Sequence, residues 1–594
     1  MTLPSSIDIT LVPVIQRKLK SITEEMGLTL LKTTRSPILN EARDFVTGLY
    51  DDRGRMLEQC EYAPILSFSL QPVCRYIIGY FGMEIFPGDV IIHNDVYTQG
   101  NQLPDVAIFE PIFLDDRLIA WVACKGHQAD IGGNVAGGYN PKATEIWQEG
   151  LRIPPVKLYE RGKLRKDVWN FIFANVRYDI VQEDILSQIG GCTVGERRYL
   201  ELVGHYGLDY LNLHLEYLLD STEKMMRREI QEIPEGTYHG ESIMYDDGIT
   251  VGSQYIIRVH ITVRGSDIFF DYTGTDPQAP GFTNATANGS ASAVLIAILN
   301  LVNPNIPHND GMLRPIHMTF PGGSIVNARF PAATTFSNHL ADHHFEAIFK
   351  ALSEVLPKRV TAGWNRLLGF VATGFDPRKK KPYVDILFNA LKGGGGASFG
   401  IDGYDHIGLA GRGGGIAAQD PEVFEQQDPH FLLKFEFAPD SAGAGRWRGG
   451  LGVETVFKFL GISTKGITFG DGIENGSQAF GLFGGKPGGK NRISITYPDG
   501  FVYEARGKDI IFPIPTGSIY RQETGGGGGY GDPFLRPVEM IIEDVRNELI
   551  PLEKAQEEYG VIFVPGRLDV DLEGTQRVRQ KKRRDETGKN EISR

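Results

Sequence analysis

The stretch Lys125-Gly126-His127-Gln128-Ala129-Asp130-Ile131-Gly132-Gly133 places an imidazole, a carboxylate and paired glycines directly after the apolar run Leu118 to Cys124. A strand that ends this way delivers polar groups to the end of a sheet, and the glycines let the loop aim them. His127 and Asp130 suit a divalent metal or a proton-transfer site; the alternative is that they satisfy loop backbone groups. Two further segments share the pattern. His93-Asn94-Asp95 through Gln102-Leu103-Pro104-Asp105 lies between the apolar runs Asp89 to Ile92 and Val106 to Phe109. Asn40-Glu41-Ala42-Arg43-Asp44 precedes the run Val46 to Tyr50. Three polar loops leaving apolar strands read as one site at one sheet end.

A second histidine-rich group is His339, Asp342, His343 and His344. On a helix His339, Asp342 and His343 share a face. Position 340 is leucine, so the zincin pattern is absent, and the favoured reading is that Asp342 and His339 cap a helix start near a pocket or subunit interface. Cys124 could act as a nucleophile, but a packed strand residue is the stronger reading.

In order along the chain, several motifs resemble the hydantoinase B family. They are Asn94-Asp95, Leu103-Pro104-Asp105, His127 to Gly133, Glu149-Gly150-Leu151-Arg152-Ile153-Pro154-Pro155, Asp271-Tyr272-Thr273-Gly274-Thr275 and Asn309-Asp310-Gly311-Met312-Leu313-Arg314-Pro315. Gly323 to Asn327, Pro439 to Arg446 with Arg448-Gly449-Gly450, and Gly525 to Pro533 complete the set. That family holds the B components of ATP-dependent hydantoinases and 5-oxoprolinases and a large subunit of acetone and acetophenone carboxylases. The resemblance implies a metal site at the positions of Gln102, Asp105 and His127, with Asp44 and Asp130 as nearby carboxylates. It implies a catalytic set of His127, Asp130, Gln102 and Asp95. Gln102 and Gln128 stand where the family carries histidines. An amide oxygen is a poorer zinc ligand than imidazole, so the expected metal is zinc or manganese bound by Asp44, Asp105, His127 and Asp130. ATP and Mg belong, by the same resemblance, to a nucleotide-binding hydantoinase A-type subunit with an actin-like fold, with a small third subunit in a carboxylase.

Composition fits a large enzyme subunit. The 594 residues exceed one ordinary core, and the formal net charge of −13 disfavours nucleic acid or an anionic membrane as partner. No apolar run reaches the length of a span, and Met1 to Ser6 lacks a signal-peptide pattern, so a cytoplasmic protein is expected. Cys60, Cys74, Cys124 and Cys192 lack zinc-like spacing and read as reduced thiols. The 72 glycines cluster at 393–396, 411–415, 443–452, 484–489 and 525–529. None forms a Walker motif or a dinucleotide fingerprint, so tight turns in a β-rich fold are expected and no nucleotide is placed on this chain.

The periodicities predict an α+β, multi-domain fold with mixed sheets. An α/β region with the metal site covers 1–160 and begins with a helix from Ser6 to about Arg35. A helical segment covers 161–235, with helices at 168–176, 182–198 and 199–229 and a kink or close packing at Gly190-Gly191. A central α/β region covers 236–430, a glycine-rich β region 431–570, and a basic tail 571–594 that reads as a disordered, solvated end. The function expected is an ATP-dependent ketone carboxylase subunit acting on a small carbonyl substrate through an enol phosphate with bicarbonate. Gln102 supports it, since an amide can position a substrate but cannot protonate a leaving amine. The alternatives are the B subunit of a lactam, hydantoin or 5-oxoproline hydrolase and a non-catalytic scaffold.

Overall fold

The computed structural model describes residues 7–414 and 417–592, with side chains to residue 582. The expectations for Met1 to Ser6 and for Gly415 lie outside the described residues. The fold is α+β, with four sheets among the described residues. The first has seven strands: β1 (Phe45–Asp51), β2 (Met56–Glu61), β3 (Val90–His93), β4 (Asp105–Leu114), β5 (Arg117–His127), β6 (Val156–Glu160) and β7 (Lys163–Leu164), in the order β2-β1-β5-β4-β3-β6-β7. Strand β1 is buried along its whole length, as expected of a strand covered on both faces.

Helices Val12–Thr33 and Ile180–Tyr206 pack on this sheet and on each other. The first buries Ile15, Leu19, Ile22, Met26 and Leu30, a stripe at helical spacing. The second runs unbroken through Gly190-Gly191. Of the two outcomes expected there, close packing is the one observed: a Cβ on Gly195 would stand 2.5 Å from Met26 Sδ, and one on Gly191 3.1 Å from Cys124 Sγ. Cys124 is a fully buried strand residue. The helix break expected at residues 198–199 falls at Gly207, whose φ of 81° a side chain rarely adopts. The next helix is Leu208–Gln231.

Glu110 on β4 is buried against this helical layer, with Oε1 unpartnered, and burial pushes its carboxyl up to about 8. A carboxyl raised above its unfolded value contributes stability that is present below the unfolded pKa and lost as pH rises through the folded one. Wild-type stability should fall between pH 5 and 9 by on the order of 3–5 kcal/mol more than that of Glu110→Gln. Melting temperatures at the two pH values check this; parallel losses would refute it.

The second sheet joins β8 (Gly236–Tyr245), β9 (Gln254–Arg264), β10 (Asp267–Asp271) and β11 (Ile316–Thr319); helix Ala341–Leu352 packs on β8 and β9, and helix Ala287–Leu299 packs on that helix. The remaining strands are β12 (Leu368–Asp376), β13 (Lys381–Ile386), β14 (His430–Ala438), β15 (Gly452–Phe459), β16 (Ile462–Gly470), β17 (Arg492–Thr496), β18 (Val502–Glu504), β19 (Lys508–Ile514) and β20 (Ile519–Glu523). They form the sheets β13-β12-β16-β19 and β14-β15-β20-β17-β18. The pairing of β12 with β16 crosses the boundary expected at residues 430 and 431, because sequence period shows strands and not their partners.

Gly413, Gly414 and Gly484 sit at positive φ in turns, as expected, but other glycine clusters correct that expectation. Residues 393–396 and 525–529 lie outside the helices and strands and pack backbone on backbone with 361–365, 441–451 and 479–489. Gly527 N–H donates to Gly450 O at 2.9 Å, Gly528 N–H to Gly363 O at 2.8 Å, and Gly443 N–H to Gly527 O at 2.9 Å. The Cβ positions of Gly394, Gly449 and Gly527 would each lie 1.9 Å from a neighbouring carbonyl oxygen. The hydrogens there meet oxygen, so these glycines bring chains together.

The tail also differs from expectation. Leu572–Ile592 is a helix, and Arg579 donates to Tyr559 O and Arg536 O, both at 3.0 Å. Among the described residues no helix is long and apolar enough to cross a membrane.

Candidate active site

Sheet register assembles the site. Strands β4 and β5 pair Asp105 with His127, and β1 and β5 pair Phe45 with Gly126. Asp44, one residue before β1, therefore sits beside His127, whose N–H donates to Asp44 O at 3.0 Å. His93 ends β3 in the same sheet. The three polar loops do share one sheet end.

His127 Nδ1 lies 2.8 Å from Asp105 Oδ1, and both side chains are almost fully buried. A carboxylate only accepts, so Nδ1 carries the hydrogen and Nε2 is left basic; Nε2 has no hydrogen-bond partner. Asp105 Oδ2 accepts from Asn101 Nδ2 at 2.6 Å and from Asn338 Nδ2 at 2.7 Å. Burial opposes charge on Asp105, but the hydrogen bond from His127, with the cationic neighbours Lys125 and Arg412, holds its carboxyl below the usual range. Lys125 Nζ donates to Ser69 Oγ and Asn101 Oδ1, each at 2.7 Å, and burial lowers its ammonium to about 8.

His127 lines a cavity of about 10 Å³ together with Asp44, Tyr139, His339, Arg412 and Phe469. That is about the room one water needs. Tyr139 stacks on Phe469 at 3.8 Å and its hydroxyl meets His339 Nε2 at 3.0 Å. Burial pushes His339 well below the usual histidine range, so its ring is neutral. The four-residue turn Ser337–Leu340 carries both Asn338 and His339 to the site and leads into helix Ala341–Leu352.

The other expected residues are placed differently. Asp130 does not join Asp105. Its Oδ1 accepts from Arg177 Nη1 at 2.9 Å, and its Oδ2 from the N–H groups of Arg177 and Gly132 at 2.9 and 3.2 Å. The strand ends at His127, and Asp130 falls past the turn. Asp95 caps a short turn through Tyr97 N–H and pairs with Arg152. It lines a separate open cleft of about 620 Å³ with Trp147 and Gly133. Gln102 is buried near the site, but Oε1 accepts from Asn338 at 2.7 Å and Nε2 donates to Thr335 O. Gln128 donates to Gln188 Oε1 at 3.0 Å. His343 turns away from His339 to Ser242 Oγ at 2.9 Å, and His344 to the Tyr272 hydroxyl at 2.7 Å. Leu340 caps the helix without a side-chain bond, so the capping part of that reading is not met while the pocket part is.

The expected metal ligands therefore do not converge. Asp44 is ion-paired with Arg412, Asp130 is held by Arg177, and the Gln102 amide is engaged on both sides. Among the described residues no group of three or more His, Cys, Asp or Glu is arranged to hold a metal ion. The donor set does not fit zinc or manganese. Sequence reading missed Lys125, Asn101, Tyr139, Asn338 and Arg412. Only Lys125 left a signal: it is a charge inside an apolar strand, two residues from His127 and so on its face.

The family model described as hydantoinase B/oxoprolinase matches residues 8–533. Caprolactamase subunit beta of Pseudomonas jessenii is 34% identical over 575 residues, covering 94% of this chain and 97% of that protein. The crystal structure of ATP-dependent caprolactamase from Pseudomonas jessenii superposes with a TM-score of 0.90 at 32% identity over 97% of this chain and 100% of that one. A nucleotide-free acetone carboxylase structure also gives 0.90, at 20% identity over 98% of this chain and 84% of that one; this likeness shows the fold alone.

Proposed function

Because the chain belongs to the hydantoinase B/oxoprolinase family, we propose that it is a subunit of an ATP-dependent complex that opens a cyclic amide, with His127 as general base. The observation that carries this is the Asp105-held imidazole, whose free Nε2 belongs to a ring lining a cavity sized for one water. The identity to caprolactamase beta over nearly the whole chain supports the substrate class.

In this reading the amide oxygen takes the γ-phosphoryl group of ATP held, with Mg, on a hydantoinase A-type partner. The amide carbon becomes electrophilic. Water adds there and gives its proton to His127 Nε2. The C–N bond breaks, the amine takes up that proton, and a second water hydrolyses the acyl phosphate to carboxylate and phosphate. Asp105 fixes the tautomer and balances the imidazolium. Asn101 and Asn338 fix Asp105.

Ketone carboxylation is the second reading, and its sequence support was a free amide at Gln102. That amide is committed to Asn338 and Thr335, so the weight passes to hydrolysis. The reconstituted complex should be offered lactams, hydantoins and 5-oxoproline, and ketones with labelled bicarbonate. Ring-opened product with ADP and phosphate is expected; label entering a ketone product would overturn the proposal in favour of carboxylation.

The purified chain alone should release no ADP from ATP, since no glycine cluster carries a phosphate-cradle signature. Turnover of ATP by this chain at the rate of the complex would contradict that division of labour.

A further inference from the structure

The sheet end holds two buried carboxylates, Asp44 and Asp105, and two buried cations, Lys125 and Arg412. Lys125 is linked to Asp105 through Asn101. Arg412 pairs directly with Asp44 through Nη1. Two carboxylates and two cations balance one another. A divalent ion added to this set would leave an uncompensated double charge in the interior, which is costly.

Arg412 also occupies the space such an ion would need. It lines the same small cavity as Asp44 and His127, and at about 2.0–2.2 Å from each donor an ion would have to stand where the guanidinium meets Asp44.

The arginine is delivered by a built turn. Ala410–Arg412 is one short helical turn, with Arg412 N–H on Leu409 O at 3.2 Å and Gly413 N–H on Ala410 O at 2.8 Å. Gly413 and Gly414 leave it at φ of 56° and 72°. Gly411 lies so close to Ala341 that its Cβ would stand 2.6 Å from the alanine methyl. The turn is thus seated on the start of the helix that directly follows the turn supplying Asn338 and His339.

We infer that Arg412 is the resident cation of this site: its guanidinium takes the place and the charge-balancing role of a divalent ion beside Asp44, and excludes one. This goes beyond the proposed reaction and does not depend on which substrate the complex uses.

The test offers one equivalent of Zn²⁺ or Mn²⁺ to the purified full chain, with uptake read by calorimetry and by metal content after desalting. Wild type should take up no ion that Asp44→Asn or His127→Ala removes. That subtraction matters because His239 and His260 form an exposed pair with facing Nδ1 atoms, a source of background binding. Arg412→Gln should gain one equivalent and a metal-dependent rise in melting temperature, both lost when Asp44→Asn is added. Arg412→Lys keeps the charge and should still exclude metal. A wild-type equivalent lost in Asp44→Asn, or a folded Arg412→Gln that gains none, overturns the inference. Should Arg412→Gln fold only with metal present, the gain is demonstrated directly; should it not fold at all, the wild-type and Arg412→Lys measurements decide. None of these readouts uses turnover, so absence of amide hydrolysis would count against the proposed function only.

Discussion

Replacing His127 with alanine is expected to cut turnover of the assembled complex by about 10³-fold, since a positioned general base contributes roughly 10²–10⁴. The loss should fall on kcat, with KM little changed, because the imidazole acts on the attacking water. The fold should survive: Asp105 keeps its hydrogen bonds from Asn101 and Asn338 when the ring is removed. Asp105→Asn makes a sharper version of the test. An amide donor facing Nδ1 would favour the tautomer with hydrogen on Nε2, and that nitrogen could no longer accept a proton. The expected loss is again about 10²–10⁴-fold with every side chain near its native size. Single-turnover kinetics with circular dichroism as a folding control would check both. Activity within tenfold of wild type in His127→Ala would remove His127 from the chemistry.

Gly527→Ala is expected to be strongly destabilising although it adds a single methyl outside the active site. Its Cβ would stand 1.9 Å from Gly395 O and 2.3 Å from Gly395 C. A clash with a flexible side chain is relieved by a rotamer; here both partners are backbone. Separating the segments would break Gly527 N–H to Gly450 O and Gly443 N–H to Gly527 O, and each buried group left unpaired costs about 1–3 kcal/mol. Together with the overlap, a loss of more than about 4 kcal/mol follows, a large share of a typical total stability. Gly190→Ala is the control. It lies in a helix with nothing within 4 Å of its Cβ, so it should stabilise by roughly 0.5–1 kcal/mol. Denaturant midpoints or soluble yield would separate the two; equal effects would show that the glycine segments are not closely packed in solution.

The sheet end was legible because strand endings are local. An apolar run that stops at His127, another that starts after Asp105 and a third that starts after Asp44 are visible in the residue order, and antiparallel register then forces the three together. Asp130 misled because spacing suggests reach while its carboxylate is claimed by Arg177, 47 residues downstream. Gln102 misled in the same way, its amide being spent on Thr335 and Asn338. His339 and His343 were read as one helical face, but a short turn precedes the helix and sends the two rings to different neighbours. Arg412 carried no local sign at all: its meaning depends wholly on Asp44, 368 residues away. The glycine segments were read as turns because composition reports permissive backbone and cannot report that the permission is used for proximity.

The glycine segments also set a timetable for the newly made chain. The stretch at 525–529 accepts and donates bonds to segments near residues 363, 395, 443, 450 and 486. None of those earlier stretches can close its backbone bonds with this central one until the ribosome has delivered it. At about 5–20 residues per second, segments made first wait on the order of ten seconds or more. Through that interval they are bare, flexible backbone with few side chains to shield them. A nascent chain of this protein therefore stays exposed to chaperones and proteases until residues 525–529 are synthesised, and a stop codon shortly before residue 525 would leave the segments near 363, 395, 443, 450 and 486 without their central partner.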